Sequence, residues 1–343
     1  MSEHAVGVAE VAYQLPGPAQ NLVAWAAEQQ VAPSRVQALL ANGCLWFHEG
    51  PENSDAELIA AAIDRFELPA AQWQPRVRYL VHAHTETFSM PAPPSSILAE
   101  LVGRYGLRPA LAFGICQVAC ASVIQAVARA VELLQADDSP ACALVVTADR
   151  VFGNAKHRLR QNGGVQSDGG SAILLARADT GLPLKALVGA ASLRNFARLH
   201  DGPTTPANVA AIGRYTWLHT KQLFQQHSQA SGLALQDVAC FLPINADREY
   251  WSRIAQALQL PESRFFVDNV GARGHACCAD LAVNLVDAGL AHLARGGAVV
   301  ACGQSNVGAY AALTLLPPPA LLAPPLPAVA EVLAPLLAVE EFA

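Results

Sequence analysis

Residues 110–148 read ALAFGICQVACASVIQAVARAVELLQADDSPACALVVTA. Residues 110–115 and 141–148 are almost continuously apolar, which predicts two buried strands. The apolar residues that recur between them at helical spacing are Val123, Ile124, Val127, Val131 and Leu134. Asp137-Asp138-Ser139-Pro140 ends this helix, so the stretch predicts a strand, a helix and a second strand parallel to the first.

The same alternation extends outward from this stretch. Further helices are predicted at residues 56–65, 96–105, 209–229, 247–258 and 277–294. Further strands are predicted at residues 77–83, 238–244, 265–267, 298–302 and 309–316. Residues 141–148 and 169–175 resemble residues 297–303 and 308–315, which indicates a weak internal repeat. The pattern predicts an α/β fold whose mostly parallel sheets are covered by helices on both faces.

The composition restricts the classes of protein to which the chain can belong. Of its 343 residues, 52% are hydrophobic and 15% charged, which allows a large core and argues against disorder. The 22 Lys and Arg residues against 28 Asp and Glu form no dense basic run, so we expect no nucleic-acid binding. The N-terminus lacks a cationic leader and no apolar run reaches the roughly 20 residues of a membrane span, so we expect a cytoplasmic protein.

The eight cysteines mostly stand alone in apolar segments, as buried thiols do. Cys116 with Cys120, and the adjacent Cys277 and Cys278, break that pattern. Cys120 precedes a predicted helix, and the free N–H groups and positive dipole of a helix N-terminus lower the pKa of a thiol. Cys120 is therefore a candidate nucleophile, although the residues alone fit a small buried side chain in a tight turn equally well.

Three local motifs carry a family resemblance. Residues 118–122 (VACAS) contain Cys120 in a turn before a helix, residues 167–172 read SDGGSA, and residues 302–308 read CGQSNVG before the last strand. In this order they resemble the nucleophile turn, the Gly-Asp-Gly-Ala strand start and the closing Gly-rich loop of the thiolase-fold ketosynthase III family. The resemblance covers roughly residues 5–316. It implies that Cys120 is the nucleophile.

The resemblance also implies an overall organisation. The fold would be a duplicated, layered αβαβα arrangement, with residues 1–176 carrying Cys120 and residues 177–316 carrying His275 and Asp280. Residues 317–343 are a proline-rich linker and tail. A homodimer is expected, with acyl-CoA or an acyl carrier protein as donor and with no permanently bound cofactor.

The departures from the family pattern are informative. Condensing members use a His in a Pro-His-Gln-Ala-Asn stretch and an Asn in a later Gly-Asn stretch to polarise the thioester carbonyl during decarboxylation. Here the first stretch reads Pro243-Ile244-Asn245, and Ile244 can neither donate a hydrogen bond nor carry a proton. The second reads Gly274-His275-Ala276, so His275 replaces the Asn. The pair that stabilises the carbanion is lost, and a base stands opposite Cys120.

Asp280 follows His275 by five residues, at the start of the predicted helix 277–294. A Cys nucleophile, a His that moves its proton and an Asp that fixes the His tautomer form an acyl-transfer constellation. This set resembles the acyltransferase branch of the superfamily. The alternatives are a loop histidine with a structural hydrogen bond and an Asp that only pairs with the helix dipole. The backbone of Cys120 and the Gly303-Gln304 loop are expected to hold the oxyanion.

Two other groups of residues lack the patterns of a metal site or a dinucleotide site. Adjacent Cys277 and Cys278 with His275 lack the spacing of zinc ligands, so no metal is predicted. Gly163-Gly164 and Gly169-Gly170 lack the strand-to-helix setting of a dinucleotide site.

Two histidines and Cys116 leave alternatives open. His82 and His84 share one face of a predicted strand, where they line a substrate tunnel together with Ile244 and Asn245, line a dimer edge, or are partly exposed polar groups. Cys116 is expected to be a packing residue, with a redox or metal pair with Cys120 as the alternative.

The predicted function is transfer of an acyl group from a CoA or carrier-protein thioester, through acyl-Cys120, to a hydroxyl, amine or thiol acceptor. We expect the acceptor to be a small molecule or carrier-bound, in natural-product biosynthesis of the polyketide or fatty-acid type. One alternative is a condensing enzyme that uses His275 alone. The other is a catalytically silent partner subunit of a ketosynthase pair, against which the retained Cys120 and the nearby base argue.

Overall fold

The structure is a computed structural model that describes residues 4–50, 52–85, 91, 94–152, 154–159, 164–196, 206–305 and 307–318, with residues 206–214 described by their backbone alone. The predicted tail beyond Pro318 lies outside the described residues, as does Gly163. The predicted boundary between residues 176 and 177 falls at the end of a strand and stays a prediction.

The strands, numbered in chain order, are β1 Val6–Gln14, β2 Gln20–Asn21, β3 Trp46–Phe47, β4 Val77–Ala83, β5 Leu111–Ile115, β6 Cys142–Asp149, β7 Gly169–Arg177, β8 Ala186–Asn195, β9 Cys240–Pro243, β10 Val299–Gln304 and β11 Ala309–Leu316. The α-helices are α1 Leu22–Glu28, α2 Pro33–Ala41, α3 Asp55–Ile63, α4 Ala70–Trp73, α5 Ile97–Tyr105, α6 Ser122–Ala136, α7 Pro206–Ser231, α8 Arg248–Ala257, α9 Asp268–Ala272, α10 Asp280–Asn284 and α11 Leu290–Ala294. The short 3₁₀ turns Ala119–Ala121 and Cys277–Ala279 precede α6 and α10.

Nine of the strands form one mixed sheet in the order β5-β4-β6-β7-β1-β8-β11-β10-β9. Only the pairs β4–β5, β4–β6 and β9–β10 are parallel among the described strands, so the expectation of mostly parallel sheets is wrong. The apolar runs arise because strands such as β6 and β7 are buried along their whole length within an antiparallel pair. Continuous apolar character therefore reports burial on both faces rather than strand direction.

The sheet contains the same unit twice. Strands β4, β6, β7 and β1 lie side by side with one parallel pair followed by antiparallel pairs, and β9, β10, β11 and β8 repeat that order and those directions. The two units join where β1 pairs with β8, at Gly7 with Leu187 and Val8 with Ala186. This topology confirms the duplicated α/β fold and gives the weak sequence repeat a structural basis.

Alternate side chains of the strands separate the layers. In β6, Ala143 and Val145 face the central helices, whereas Leu144 and Val146 face α3 and α5. In β10, Val299 and Ala301 face the same central helices, whereas Val300 packs toward α7 and α8. Helix α6 and the segment from α10 to α11 therefore lie between the two ends of the sheet, with α3 and α5 packed outside β6 and with α7 and α8 packed outside β10.

The central helices are apolar enough to resemble membrane spans. The segments Ala119–Ala136 and Cys277–Ala294 have the length and composition of such spans, but 56% and 61% of them are buried inside the protein. Burial in the middle layer explains their apolar character. The second segment, predicted as one helix, is a 3₁₀ turn, α10, a π-helical turn at Leu285–Gly289 and α11.

One predicted strand does not form. In residues 265–267, only Phe265 makes an isolated parallel bridge, to Phe241, before α9 begins at Asp268. The ring of Phe265 stacks on that of Phe241 with centroids 4.7 Å apart. The apolar pattern at this position therefore reflects aromatic packing against β9 rather than a strand.

Candidate active site

Cys120 is in the middle of the tight turn between β5 and α6. The turn is closed by hydrogen bonds from Ala119 N to Cys116 O (3.0 Å) and from Ala121 N to Val118 O (3.2 Å). Ala119 has a φ of 48°, in the left-handed region that non-glycine residues rarely adopt. Strained backbone of this kind is often found at functional sites. The Cys120 side chain is buried, with 8% of the residue exposed.

His275 lies opposite Cys120 on the other half of the molecule. Its backbone is fixed by hydrogen bonds from His275 N to Val165 O and from Ser167 N to His275 O, both 2.9 Å. Its Nε2 is 3.3 Å from Cys120 Sγ, and its Nδ1 is 2.6 Å from Asp280 Oδ2. With Nδ1–H donating to the carboxylate, Nε2 is free to exchange a proton with the thiol. The structure thus brings the three predicted residues into one chain of contacts.

Asp280 is held by more than its helix. Its Oδ1 accepts hydrogen bonds from Ala276 N (2.7 Å) and Asn245 Nδ2 (3.2 Å), and its Oδ2 accepts one from Asn245 N (2.7 Å). An ionised carboxylate is an acceptor only, so these donors and His275 occupy it fully. An Asp that only interacted with the helix dipole would need none of these hydrogen bonds.

A chain of buried asparagines supports this carboxylate, and sequence reasoning missed it. Asn284 donates to Asn245 Oδ1 (2.9 Å) and to Pro243 O (2.6 Å), and Asn269 donates to Asn284 Oδ1 (2.8 Å). All three asparagines are at most 3% exposed. The available signal was an Asn four residues after Asp280 in an otherwise apolar helix, since residues at that spacing lie on one face.

The site favours a thiolate beside an imidazolium. A hydrogen bond with Cys277 and the charge of His275 hold the pKa of Cys120 well below its usual range, although burial opposes this. Burial would lower the pKa of His275, but the charges of Asp280 and Cys120 outweigh it and raise that pKa to about 10. Each partner stabilises the charged form of the other. Cys120 is therefore ready to act as a nucleophile at neutral pH.

Thr85 and Asp149 complete the surroundings of Cys120, and neither was predicted. Thr85 Oγ1 lies 3.5 Å from Cys120 Sγ and 3.4 Å from Cys278 Sγ. Asp149 accepts hydrogen bonds from Thr85 N (2.6 Å) and Cys278 N (3.0 Å). Asp149 therefore ties the end of β4 to the turn that follows His275.

A small apolar cavity of about 10 Å³, the space of one water molecule, lies beside Cys120. Ile244 is one of its lining residues, so an apolar group occupies the region where condensing members are expected to carry a His. Gly303 also lines it, and a Cβ on Gly303 would lie 3.4 Å from Cys120 O, which shows how closely β10 approaches Cys120. The Oε1 of the neighbouring Gln304 is buried without a hydrogen-bond partner within the described part of the chain. Asn245 turns toward Asp280 rather than into the cavity.

His82 and His84 are both buried, at 2% and 6% exposed, so the interpretation as partly exposed groups is wrong. Their rings stack with centroids 4.9 Å apart, and burial lowers the pKa of His82 to about 3. Along β4, Val81 and Ala83 face α6, which places His82 on the other face of the sheet. His82 is buried in an interior strand of the sheet, because β4 lies between β5 and β6.

The motif at residues 167–172 has a structural role. Asp168 forms a two-pronged ion pair with Arg158 (2.8 and 2.9 Å) and accepts hydrogen bonds from Gly50 N (2.9 Å) and Val151 N (2.8 Å). These bonds fasten two loops beside the segment that pairs with His275.

Cys116 is half-buried and does not belong to the group formed by Cys120, His275 and Cys277. In that group, the sulfur and nitrogen atoms that could bind a metal lie within 4.8 Å of one another.

Comparison with known proteins shows which solved structures share this fold. No family model matches the sequence. A curated relative, the beta-ketoacyl-[acyl-carrier-protein] synthase III of Kocuria rhizophila, is 25% identical over 230 residues, which are 57% of this chain and 64% of the relative. The match thus spans slightly less than two thirds of the relative's length.

Solved structures are similar over much more of the chain. The acyltransferase ChlB3 superposes with a TM-score of 0.75 at 18% identity, covering 91% of this chain and 97% of that one. The 3-oxoacyl-(acyl carrier protein) synthase III FabH from Pseudomonas aeruginosa gives 0.73 at 20% identity, with 91% and 98% covered. A single-residue variant of OleA from Xanthomonas campestris gives 0.73 at 14% identity, again with 91% and 98% covered. By its duplicated sheet and these similarities, the chain has the thiolase-like α/β fold that these ketosynthase III-type structures share.

Proposed function

We propose that this protein is an acyltransferase that moves an acyl group from a CoA or carrier-protein thioester, through acyl-Cys120, to a hydroxyl, amine or thiol acceptor. The observation that carries the proposal is the contact chain from Cys120 through His275 to Asp280, with Ile244 beside it. This set provides a nucleophile and a base but lacks the His that polarises the carbonyl in decarboxylative condensation. Similarity to the acyltransferase ChlB3 supports the proposal.

The first half-reaction loads the enzyme. The Cys120 thiolate attacks the thioester carbonyl, and the backbone N–H groups of Cys120 and of the Gly303-Gln304 segment receive the negative charge on oxygen. The close approach of Gly303 to Cys120 supports that role. When the intermediate collapses, the bond to the donor sulfur breaks and His275 gives that sulfur its proton. Acyl-Cys120 and a free thiol result.

The second half-reaction delivers the acyl group. His275, now neutral, takes the proton of the incoming acceptor, which attacks the acyl-Cys120 carbonyl. The new bond forms to the acceptor, the Cys120–acyl bond breaks, and the thiolate and imidazolium are restored. Asp280 keeps the imidazole in the tautomer that leaves Nε2 at the reacting side.

Condensation is the second candidate, because the curated relative is a beta-ketoacyl synthase. The two reactions differ in carbon dioxide. The enzyme is incubated with an acyl donor and malonyl-carrier protein, and separately with hydroxyl, amine and thiol acceptors, while carbon dioxide and products are measured. Intact acyl transfer without carbon dioxide supports the proposal. Stoichiometric carbon dioxide with a β-keto product would overturn it, and acyl transfer by the enzyme at all would exclude the silent-subunit alternative.

We also propose that the protein is a homodimer joined through β5. This strand is at one edge of the sheet, and Leu111 in it is 44% exposed, which leaves apolar surface and backbone groups for a partner. A twofold axis would pair β5 with its own copy. Ala112→Lys, which brings like charges together across that axis, should produce monomers in light scattering. Leu193→Lys, at an exposed apolar position of the interior strand β8, is the control and should not.

A further inference from the structure

Cys277 lies outside the proposed triad, yet its sulfur points into the same site. The atoms Cys120 Sγ, His275 Nε2 and Cys277 Sγ all lie within 4.8 Å of one another, and all three residues are buried. Cys277 has a φ of 53°, a left-handed conformation that is unusual for a residue with a side chain. The backbone thus takes an unfavourable conformation at the residue that brings a second sulfur to the nucleophile.

These three atoms have the chemistry and spacing of ligands for a soft divalent cation. In a tetrahedral zinc site with Zn–S bonds of about 2.3 Å and Zn–N bonds of about 2.0 to 2.1 Å, two sulfurs lie about 3.8 Å apart and sulfur and nitrogen about 3.6 Å apart. Cys120 Sγ and His275 Nε2 are 3.3 Å apart, within a few tenths of an ångström of this spacing, and Cys277 Sγ lies within 4.8 Å of both.

The surroundings of His275 also match those of a metal ligand. Histidines that bind metals commonly donate their other ring N–H to a carboxylate, which fixes the ring and its tautomer. Here Nδ1 lies 2.6 Å from Asp280 Oδ2, which leaves Nε2 facing the two sulfurs. A cavity of about 10 Å³, the space of one water molecule, borders Cys120 and Cys277.

Charge balance favours such a cation in this buried position. Two thiolates neutralise a divalent cation, so the complex of the cation with Cys120, Cys277 and neutral His275 carries no net charge from these groups. Starting from a Cys120 thiolate, a His275 imidazolium and a Cys277 thiol, binding releases one proton from His275 and one from Cys277. Starting from a Cys120 thiol and a neutral His275, it again releases two.

We propose that Cys120, His275 and Cys277 form a binding site for a soft divalent cation such as Zn²⁺, and that the bound cation blocks the nucleophile. The metal site differs from the group Cys277, Cys278 and His275 that the sequence spacing disfavoured, because Cys120 from the other half of the molecule replaces Cys278 as a ligand. Binding stands on this geometry alone, whereas the inhibition rests on the function proposed above.

The binding test uses reduced, chelator-treated full-length protein. Zn²⁺ should bind with a stoichiometry of one per chain, and calorimetry in buffers of different ionisation enthalpy should show about two protons released per ion. Co²⁺ in its place should give thiolate-to-metal charge-transfer absorption. Cys277→Ala should weaken binding at least about tenfold, which is a shift of about 1.4 kcal/mol or more. Cys142→Ala, which removes a buried cysteine of β6 away from the site, should bind as the unchanged protein does.

The inhibition test is separate, so that the two proposals can fail independently. Metal-free protein is acylated with a panel of donors and followed by intact mass, with and without Zn²⁺. Zinc binding without acylation by any donor would count against the proposed function and leave the metal site standing. Acylation that proceeds while no stoichiometric Zn²⁺ binds, or binding that Cys277→Ala does not change, would overturn the metal site. A reversible Cys120–Cys277 disulfide in protein that binds no zinc when reduced would overturn it as well.

Discussion

The turn Ala119–Ala121 before α6 and the turn Cys277–Ala279 before α10 occupy the same place in the two halves of the molecule. Both are 3₁₀ turns, both lead into a central helix, and both begin with a residue in the left-handed region, at φ values of 48° and 53°. The sequences VACAS at 118–122 and ACCAD at 276–280 align without a gap. Cys120 and Cys278 are therefore equivalent residues of one duplicated turn.

The two cysteines nevertheless have opposite chemistry. The pKa of Cys120 is held well below its usual range by Cys277 and His275, whereas burial and the charge of Asp149 raise the pKa of Cys278 well above its usual range. Cys278 Sγ donates to Ala119 O at 3.5 Å, as a structural thiol does. A helix N-terminus follows both cysteines and does not by itself lower the pKa of a thiol; the hydrogen bond with Cys277 and the charge of His275 make the difference at Cys120.

The residues that follow the two turns also differ between the halves. The position that Ser122 holds in the first half is held by Asp280 in the second, and Ala126 corresponds to Asn284. Ser122 Oγ is buried without a hydrogen-bond partner within the described residues, whereas Asp280 accepts bonds from His275, Ala276 and Asn245. One copy of the turn thus presents the proposed nucleophile, and the other presents the Asp that contacts its His275 partner.

The largest expected effect separates the two cysteines. Cys120→Ala should abolish formation of acyl-enzyme, because Cys120 is the thiol whose pKa is held low at a distance of 3.3 Å from His275 Nε2. Cys278→Ala should still be acylated, with a stability loss of about 1 kcal/mol from the removed buried sulfur. Intact mass after incubation with acyl-CoA and acyl-carrier donors, followed by peptide mapping, measures both. A label on Cys278, Cys277 or Cys116 would contradict the assignment.

Removal of the activating charge should have the next largest effect. His275→Ala should reduce turnover to an acceptor by about 100- to 10,000-fold, the usual contribution of a general base. Acylation should become strongly dependent on pH, because the pKa of Cys120 rises when its imidazolium partner is lost.

The pH dependence of alkylation can show whether the pKa of Cys120 rises when His275 is removed. In the unchanged protein, alkylation of Cys120 by iodoacetamide should vary little across neutral pH, since the thiolate is already formed there. In His275→Ala the rate should be low at neutral pH and rise toward and beyond the ordinary thiol pKa of about 8.5. Equal pH profiles in the two proteins would show that His275 does not set the charge of Cys120.

The sequence predicts the fold class and the internal repeat, but not why Cys120 and Cys278 differ in pKa. The apolar runs of β6 and β10 and the helical spacing of α6 carry the fold class and the internal repeat, because burial in a layered protein imposes those patterns. Strand direction was missed because β7 and β11 are as continuously buried as parallel strands are. Direction depends on the length and path of the connections, which apolar content does not record.

The residues of the candidate site also fall into those that the sequence predicts and those that it does not. Cys120, His275 and Asp280, which the structure brings into contact, were predicted from motifs, since each lies next to a recognisable turn. Thr85, Asp149 and Asn284 were missed, because each acts through a backbone group or a neighbour distant in the chain. The opposite chemistry of Cys120 and Cys278 depends on such neighbours, so spacing alone could not predict it.

Asp280→Asn should have a smaller effect on turnover than His275→Ala. The base remains, but the amide cannot accept from both His275 and the Asn245 and Ala276 donors, so the imidazole tautomer is less well fixed. Steady-state rates of acyl transfer measure the loss. The control is Asp64→Asn, which changes a carboxylate at the end of α3 that accepts hydrogen bonds from Arg104 and Tyr105 instead. A loss equal to that of His275→Ala would mean that tautomer control is the whole of the histidine's contribution.

The smallest expected effect tests the asparagine chain that only the second half contains. Asn284→Ala restores the residue that the first half has at Ala126 and leaves Pro243 O and Asn245 Oδ1 without their donor, which should cost about 1 to 3 kcal/mol in the free energy of unfolding. Turnover should fall less than in Asp280→Asn, because the backbone N–H of Asn245 still holds the carboxylate. Ser122→Ala, at the position equivalent to Asp280, removes a buried hydroxyl without a partner in the described residues and should cost little or stabilise the fold. Urea unfolding of both variants decides: equal stabilities would show that the asparagines fill space rather than hold Asp280.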